Sequence, residues 1–272
     1  MKQRFSTSVP AVALGAAGFA VRFLQNRTGF EPDTGLPVPG NIPAILLPVL
    51  LVLAAAVLYL AACRAYPKGT VESPFAQAFR LDDRAGLFAA LGGGCAAALS
   101  GLLELADTAG GITAVSADGM ETVMVQPGTS GVLIGVLSAA AGVCLSAGVI
   151  ASRKTNAPPL MLMAAPVCLL ARLILVYRLR SVNPVLADYY LEILGLMLLI
   201  LGTYRLSGFA VQAGSPRVFA LYAEMTAVLA LTMLADGLSA AALLTLGGAL
   251  TLMGFERMLR TGPAEQPLCE TE

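Results

Sequence analysis

The sequence predicts an all-α, polytopic transmembrane helical bundle of about eight spans. Two observations carry that expectation. Hydrophobic residue types make up 57% of the 272 residues and charged types only 12%, about half the ~25% charge of an ordinary soluble domain, and the mean hydropathy is +0.78. The apolar residues are also gathered into segments that each reach the ~17–25 residues needed to cross a hydrocarbon layer ~30 Å thick. So few charges cannot cover a water-facing surface.

The spans follow in order. The first, 7–24, comes after Lys2 and Arg4 and has the outline of a secretory signal. It runs on to Leu24 with Arg22 near its end and lacks a small-residue cleavage pattern, so it reads as a retained span. Residues 25–40 are dense in Gly and Pro and form a compact outer loop. Asn26-Arg27-Thr28 is a formal glycosylation sequon that carries no meaning in a chain of bacterial appearance. The second span is 42–63. Residues 73–85 set Phe75, Phe79 and Leu81 beside Arg80, Asp82, Asp83 and Arg84, either as a short helix lying on the inner membrane surface or as a polar linker. The third span, 86–106, contains Gly92-Gly93-Gly94, which is no phosphate loop because no strand precedes it and no Gly-Lys-Ser/Thr follows. The fourth to eighth spans are 130–151, 159–177, 188–208, 217–235 and 237–255. Asp236-Gly237 is a tight turn between the last two, and 256–272 is a short cytoplasmic tail. The stretches between spans are too short to bury a core of their own, so the chain is one integral membrane domain.

Orientation follows from the basic residues, which gather on the cytoplasmic side of inner-membrane proteins. Placing both termini inside puts twelve Lys and Arg on the inner side and four, Arg22, Arg27, Arg178 and Arg180, on the outer side, with Arg172 inside a span. The loop from Asp107 to Ser130 has three acids and no base, as suits an outer loop. The expected location is the bacterial cytoplasmic (inner) membrane.

Arg22 and Arg172 both follow a Pro-started apolar run, and 87–107 and 218–236 both end in Leu-Ala-Asp. These likenesses suggest a parallel four-plus-four duplication of the kind found in transporter halves, or the shared composition of Ala/Leu-rich helices. Small residues four apart (Gly131, Gly135 and Ala139; Gly94 and Ala98; Ala97 and Gly101) allow close helix approach, either inside one bundle or across a homodimer face.

Ionisable groups inside spans are costly and are candidates for function. Arg172 and Glu192 fall at matching depth, ~6–8 Å below the outer surface at 1.5 Å per residue, on spans joined by a short loop. Asp188 sits one turn above Glu192 with Tyr189 beside it, Arg178 and Arg180 stand at the rim, and Arg22 and Glu104 lie near the same end. Together they outline an outward polar cluster for a zwitterionic or anionic small solute; the plainer reading is that Arg172 and Glu192 lock two helices. Glu224, ~10 Å from the inner end of the seventh span, either pairs with Arg205 or serves as a proton-carrying acid.

The chain contains no His, which excludes Ser-His-Asp and Cys-His catalysis, HExxH zinc sites and His-ligated haem. Its five cysteines show no metal-ligand spacing, and the Cys269-Glu270-Thr271-Glu272 terminus lacks the aliphatic pair of a prenylation signal. Zero net charge leaves no basic excess for nucleic acid. No catalytic residues, metal or cofactor are expected. Two readings of function remain: a small-molecule permease or transport-related protein, and a non-catalytic membrane subunit or scaffold in a larger complex.

Overall fold

A computed structural model describes residues 8–29, 38, 40–66, 68–70, 75–109, 112–115, 122–125, 129–154, 161–181 and 189–259. The described chain has eight long helices: α1 (Ser8–Thr28), α2 (Ile42–Ala65), α4 (Arg84–Ala109), α5 (Thr129–Lys154), α6 (Met161–Arg180), α7 (Tyr190–Ala210), α8 (Pro216–Met233) and α9 (Ala240–Met258). Between α2 and α4 lies the single-turn α3 (Phe75–Ala78). Each long helix overlaps one expected span, with its ends shifted by a few residues at most. Most run further than the apolar pattern, because the polar residues at an apolar run's ends continue the helix.

Local chemistry sets the ends. Asn41 caps α2 by accepting from the Ala44 amide at 3.3 Å, and its amide donates to the Thr28 carbonyl at 2.6 Å, tying the end of α1 to the start of α2. Ser239 caps α9 in the same way through the Ala242 amide. The predicted Asp236-Gly237 turn is present: one 3-10 turn, Leu234–Asp236, leads to Gly237 at φ 99, a backbone region that glycine adopts without penalty.

Seven helices, α1, α2, α4, α5, α6, α7 and α8, are long and apolar enough to cross a membrane. Their outward faces carry large apolar side chains such as Ile42, Val52, Val167 and Ile174, all more than half exposed. The chain is a multi-pass membrane protein in contact with lipid. The eighth helix, α9, is not among the seven; it ends in Glu256-Arg257 and is buried along much of its length.

The helices α4, α5, α6, α7 and α9 form a closed circuit, each packed on the next, with α9 returning to α4. Helix α8 lies against α7 and α9, and α1 and α2 pack on α8 from outside. Burial follows this order: 67% of the apolar window of α8 is buried, against 22% of that of α2. The two candidate repeats are packed differently. In the second, α6 to α9 touch in sequence, whereas in the first the α1–α2 pair rests chiefly on α8, away from the α4–α5 pair.

Helix α4 is the hub, and its small residues face two partners within the chain. A Cβ on Gly93 would lie 2.5 Å from the Thr251 amide of α9, and one on Gly101 2.6 Å from the Gly135 carbonyl of α5. The expected outer loop after α4 carries a small hairpin, β1 (Ile112–Val115) pairing antiparallel with β2 (Thr122–Val125). The segment 75–84, open in the sequence between a short inner-surface helix and a polar linker, packs into the bundle. Phe75 and Phe79 are buried, Phe79 meeting Phe209 and Phe255 edge to face with ring centroids 5.0 and 5.5 Å away, while the Arg80 amide donates to the Met258 carbonyl. An amphipathic pattern asks only for an apolar surface, and a protein groove meets that demand as well as lipid does.

Candidate functional site

Two arginines are buried at the end of the bundle where α4 and α6 finish and α7 begins. Arg172, on α6, is 1% exposed. The helix runs on to Arg180, so Arg172 lies ~12 Å from its end, deeper than the apolar pattern implies. Its guanidinium reaches past α5 to α4. There Nη1 and Nη2 donate to the two carboxylate oxygens of Glu104 at 2.5 and 2.7 Å, and Nη1 also meets the Ser138 hydroxyl. Ser138 in turn donates to Glu104 at 2.8 Å. The close crossing of α4 and α5 at Gly101 and Ala139 produces this contact, since Glu104 follows Gly101 by one turn and Ser138 precedes Ala139.

Glu192, the expected partner of Arg172, stands 4.0 Å from Nη2 and is held more closely by Arg180, at 3.2 Å. The bidentate partner is therefore Glu104, a residue that span position alone sets at the rim. Matching depth identified the right group of residues, but the order of helices in space chose between two carboxylates. The Nε of Arg172 is buried and has no hydrogen-bond partner among the described residues. Along one side of the helices the charges alternate: Arg180, 53% exposed; Glu192, 13%; Arg172, 1%; and Glu104, 16%.

Arg22, on α1, does not join this cluster. Its Nε donates to Asp236 at 2.7 Å, its Nη1 to Gln25 at 3.2 Å, and its guanidinium lies 5.7 Å from the centre of the Tyr190 ring. Asn26 also donates to Asp236. Tyr190 and Glu192 are two residues apart at the start of α7, so that first turn touches both arginine groups. Tyr189 is buried at the N-terminal boundary of α7 and Arg178 is exposed. Asp188 lies outside the described residues.

Toward the opposite end, Glu224 is fully buried in α8. It makes no ion pair with Arg205 among the described residues; the Arg205 guanidinium instead lies 5.8 Å from the Tyr204 ring centre. The sequence pattern gave no sign of a second polar group there. Tyr66 donates to Glu256 at 3.0 Å, Arg217 donates to the Tyr66 carbonyl at 3.1 Å, and Arg257 pairs with Asp83 at 2.9 Å. The hydrogen bond from Arg257 holds the Asp83 carboxyl below its ordinary pKa. No group of three or more His, Cys, Asp or Glu suited to a metal occurs among the described residues.

Comparison with protein-family models, curated proteins and solved structures finds no match.

Proposed function

We propose that the chain is a small-solute permease of the bacterial inner membrane, with both termini cytoplasmic and the Arg172 cluster at the outward end. The twelve-to-four division of basic residues supports that orientation. One observation carries the assignment: a ladder of alternating charges leads from exposed Arg180 through Glu192 to buried Arg172 and on to the partly exposed Glu104.

The ladder has one open position. Glu104 occupies the Nη1–Nη2 edge of the guanidinium, whereas among the described residues the Nε–Nη2 edge has an unsatisfied Nε and a carboxylate only at 4.0 Å. An orphaned buried donor on a charged group is costly, and a carboxylate meeting that edge with two parallel hydrogen bonds satisfies it. Glu192, tied to Arg180, remains beside the same position as a partner for an ammonium group. The arrangement suits a small zwitterion best and a simple carboxylate next.

Thermal unfolding of the purified protein tests this against a panel of amino acids, small carboxylates and amines of equal size. Wild type is stabilised by the zwitterions and not by the amines. Glu192→Gln weakens the zwitterions by about tenfold, the size of one charged hydrogen bond, and strengthens plain carboxylates by removing a like charge. Stabilisation by amines alone, or an unchanged ranking in Glu192→Gln, refutes the reading.

A further inference from the structure

At the opposite end of the bundle, where α4 begins and α5 finishes, a cleft of about 470 Å³ is lined by Leu81, Asp82, Arg84, Leu87, Phe88 and Arg153. Arg84 and Arg153 come from different helices and are exposed. Neither side chain makes an ion pair or hydrogen bond among the described residues, in contrast to Arg257 close by, which Asp83 engages. Asp82 is exposed and likewise unengaged, so the cleft keeps a net positive charge.

The apolar surface continues from the cleft along α4. Phe88, Gly92, Cys95 and Leu99 follow Arg84 at helical spacing on one face. Phe88 is 69% exposed and Leu99 50%, Cys95 is exposed, and a Cβ at Gly92 would meet nothing within 4 Å. Two unengaged cations at the ends of membrane helices, above an open apolar strip, match an anionic headgroup with its acyl chain attached. Basic pockets between helix ends bind such headgroups. We infer that this cleft is a binding site for one anionic phospholipid, with the phosphate between Arg84 and Arg153 and an acyl chain along Phe88, Gly92 and Leu99. The site lies on other residues than the Arg172 cluster and stands independently of the transport reading.

Native mass spectrometry of the full chain released from nanodiscs of mixed phosphatidylglycerol and phosphatidylcholine tests it. Wild type retains phosphatidylglycerol in preference. Arg84→Gln and Arg153→Gln each lower that preference about fivefold and the double variant about 30-fold, whereas Asp82→Asn raises it about fivefold. Gly92→Leu lowers retention by filling the strip. All these positions are exposed, so unchanged thermal unfolding confirms folded protein in each case. Equal retention of the two lipids by wild type, or wild-type preference in the double variant, overturns the site. Millimolar inorganic phosphate leaves the lipid in place; displacement by phosphate assigns the cleft to the free anion and overturns the lipid assignment.

Discussion

Arg22 and Arg172 are buried at the same end of the bundle, yet their surroundings give them different work. Arg22 clamps α1 to the Asp236 turn, and that aspartate is 33% exposed, so water shares the pair. Arg172 is enclosed by α4, α5, α6 and α7, and both its carboxylate partners are largely buried. The packing behind them differs too. Near Arg172 the backbones of α4 and α5 touch at Gly101 and Ala139, whereas near Arg22 the small residues of α1 face side chains, Gly15 against Leu231 and Gly18 against Thr232. A buried charge against rigid backbone is held in one geometry; a charge at a wet rim against side chains can adjust.

The largest effect that separates the two regions is removal of a carboxylate. Glu104→Ala leaves the buried Arg172 charge with only a distant carboxylate and destabilises by ~3–5 kcal/mol, read as denaturant unfolding in detergent. Asp236→Ala costs only ~1 kcal/mol, because an exposed partner contributes little. Equal losses would erase the distinction. Next comes packing. Gly101→Ala drives a methyl into the α5 backbone and costs ~1–3 kcal/mol, and it also pulls Glu104 from Ser138. Gly15→Ala costs less, since the Leu231 side chain it meets can turn aside.

The smallest effect lies at the far end, where Asp83 and Arg257 form an exposed latch worth a few tenths of a kcal/mol. The folded-state pKa of Asp83 is lowered by Arg257, so the latch contributes above the ordinary aspartate value of ~3.9 and is lost as pH falls through the lowered one. Asp83→Asn removes that acid-side dependence and leaves neutral stability nearly unchanged, as a pH series of melting curves would show.

The helices were legible in the sequence because hydrocarbon demands length and apolarity, and both are written locally. The 42–63 run became Ile42–Ala65 and the 130–151 run became Thr129–Lys154. Side-chain partners were legible only as far as depth decides them. Arg172, Glu104 and Glu192 all point to one end, but the choice of Glu104 needed α4 and α6 to lie on the same helix α5. The Asp236 partner of Arg22 depended in the same way on α1 packing against α8. Phe79 shows a further limit: a short apolar face beside charges fits a membrane surface and a groove between helices equally, and only the neighbouring rings of Phe209 and Phe255 distinguish them.

Uptake into proteoliposomes tests the central claim most directly, using labelled amino acids and small carboxylates with wild type, Glu192→Gln and Asp236→Asn. The ladder predicts zwitterion uptake by wild type and by Asp236→Asn, with a loss of at least about tenfold in Glu192→Gln. Equal uptake by all three proteins, or loss in Asp236→Asn alone, would contradict it.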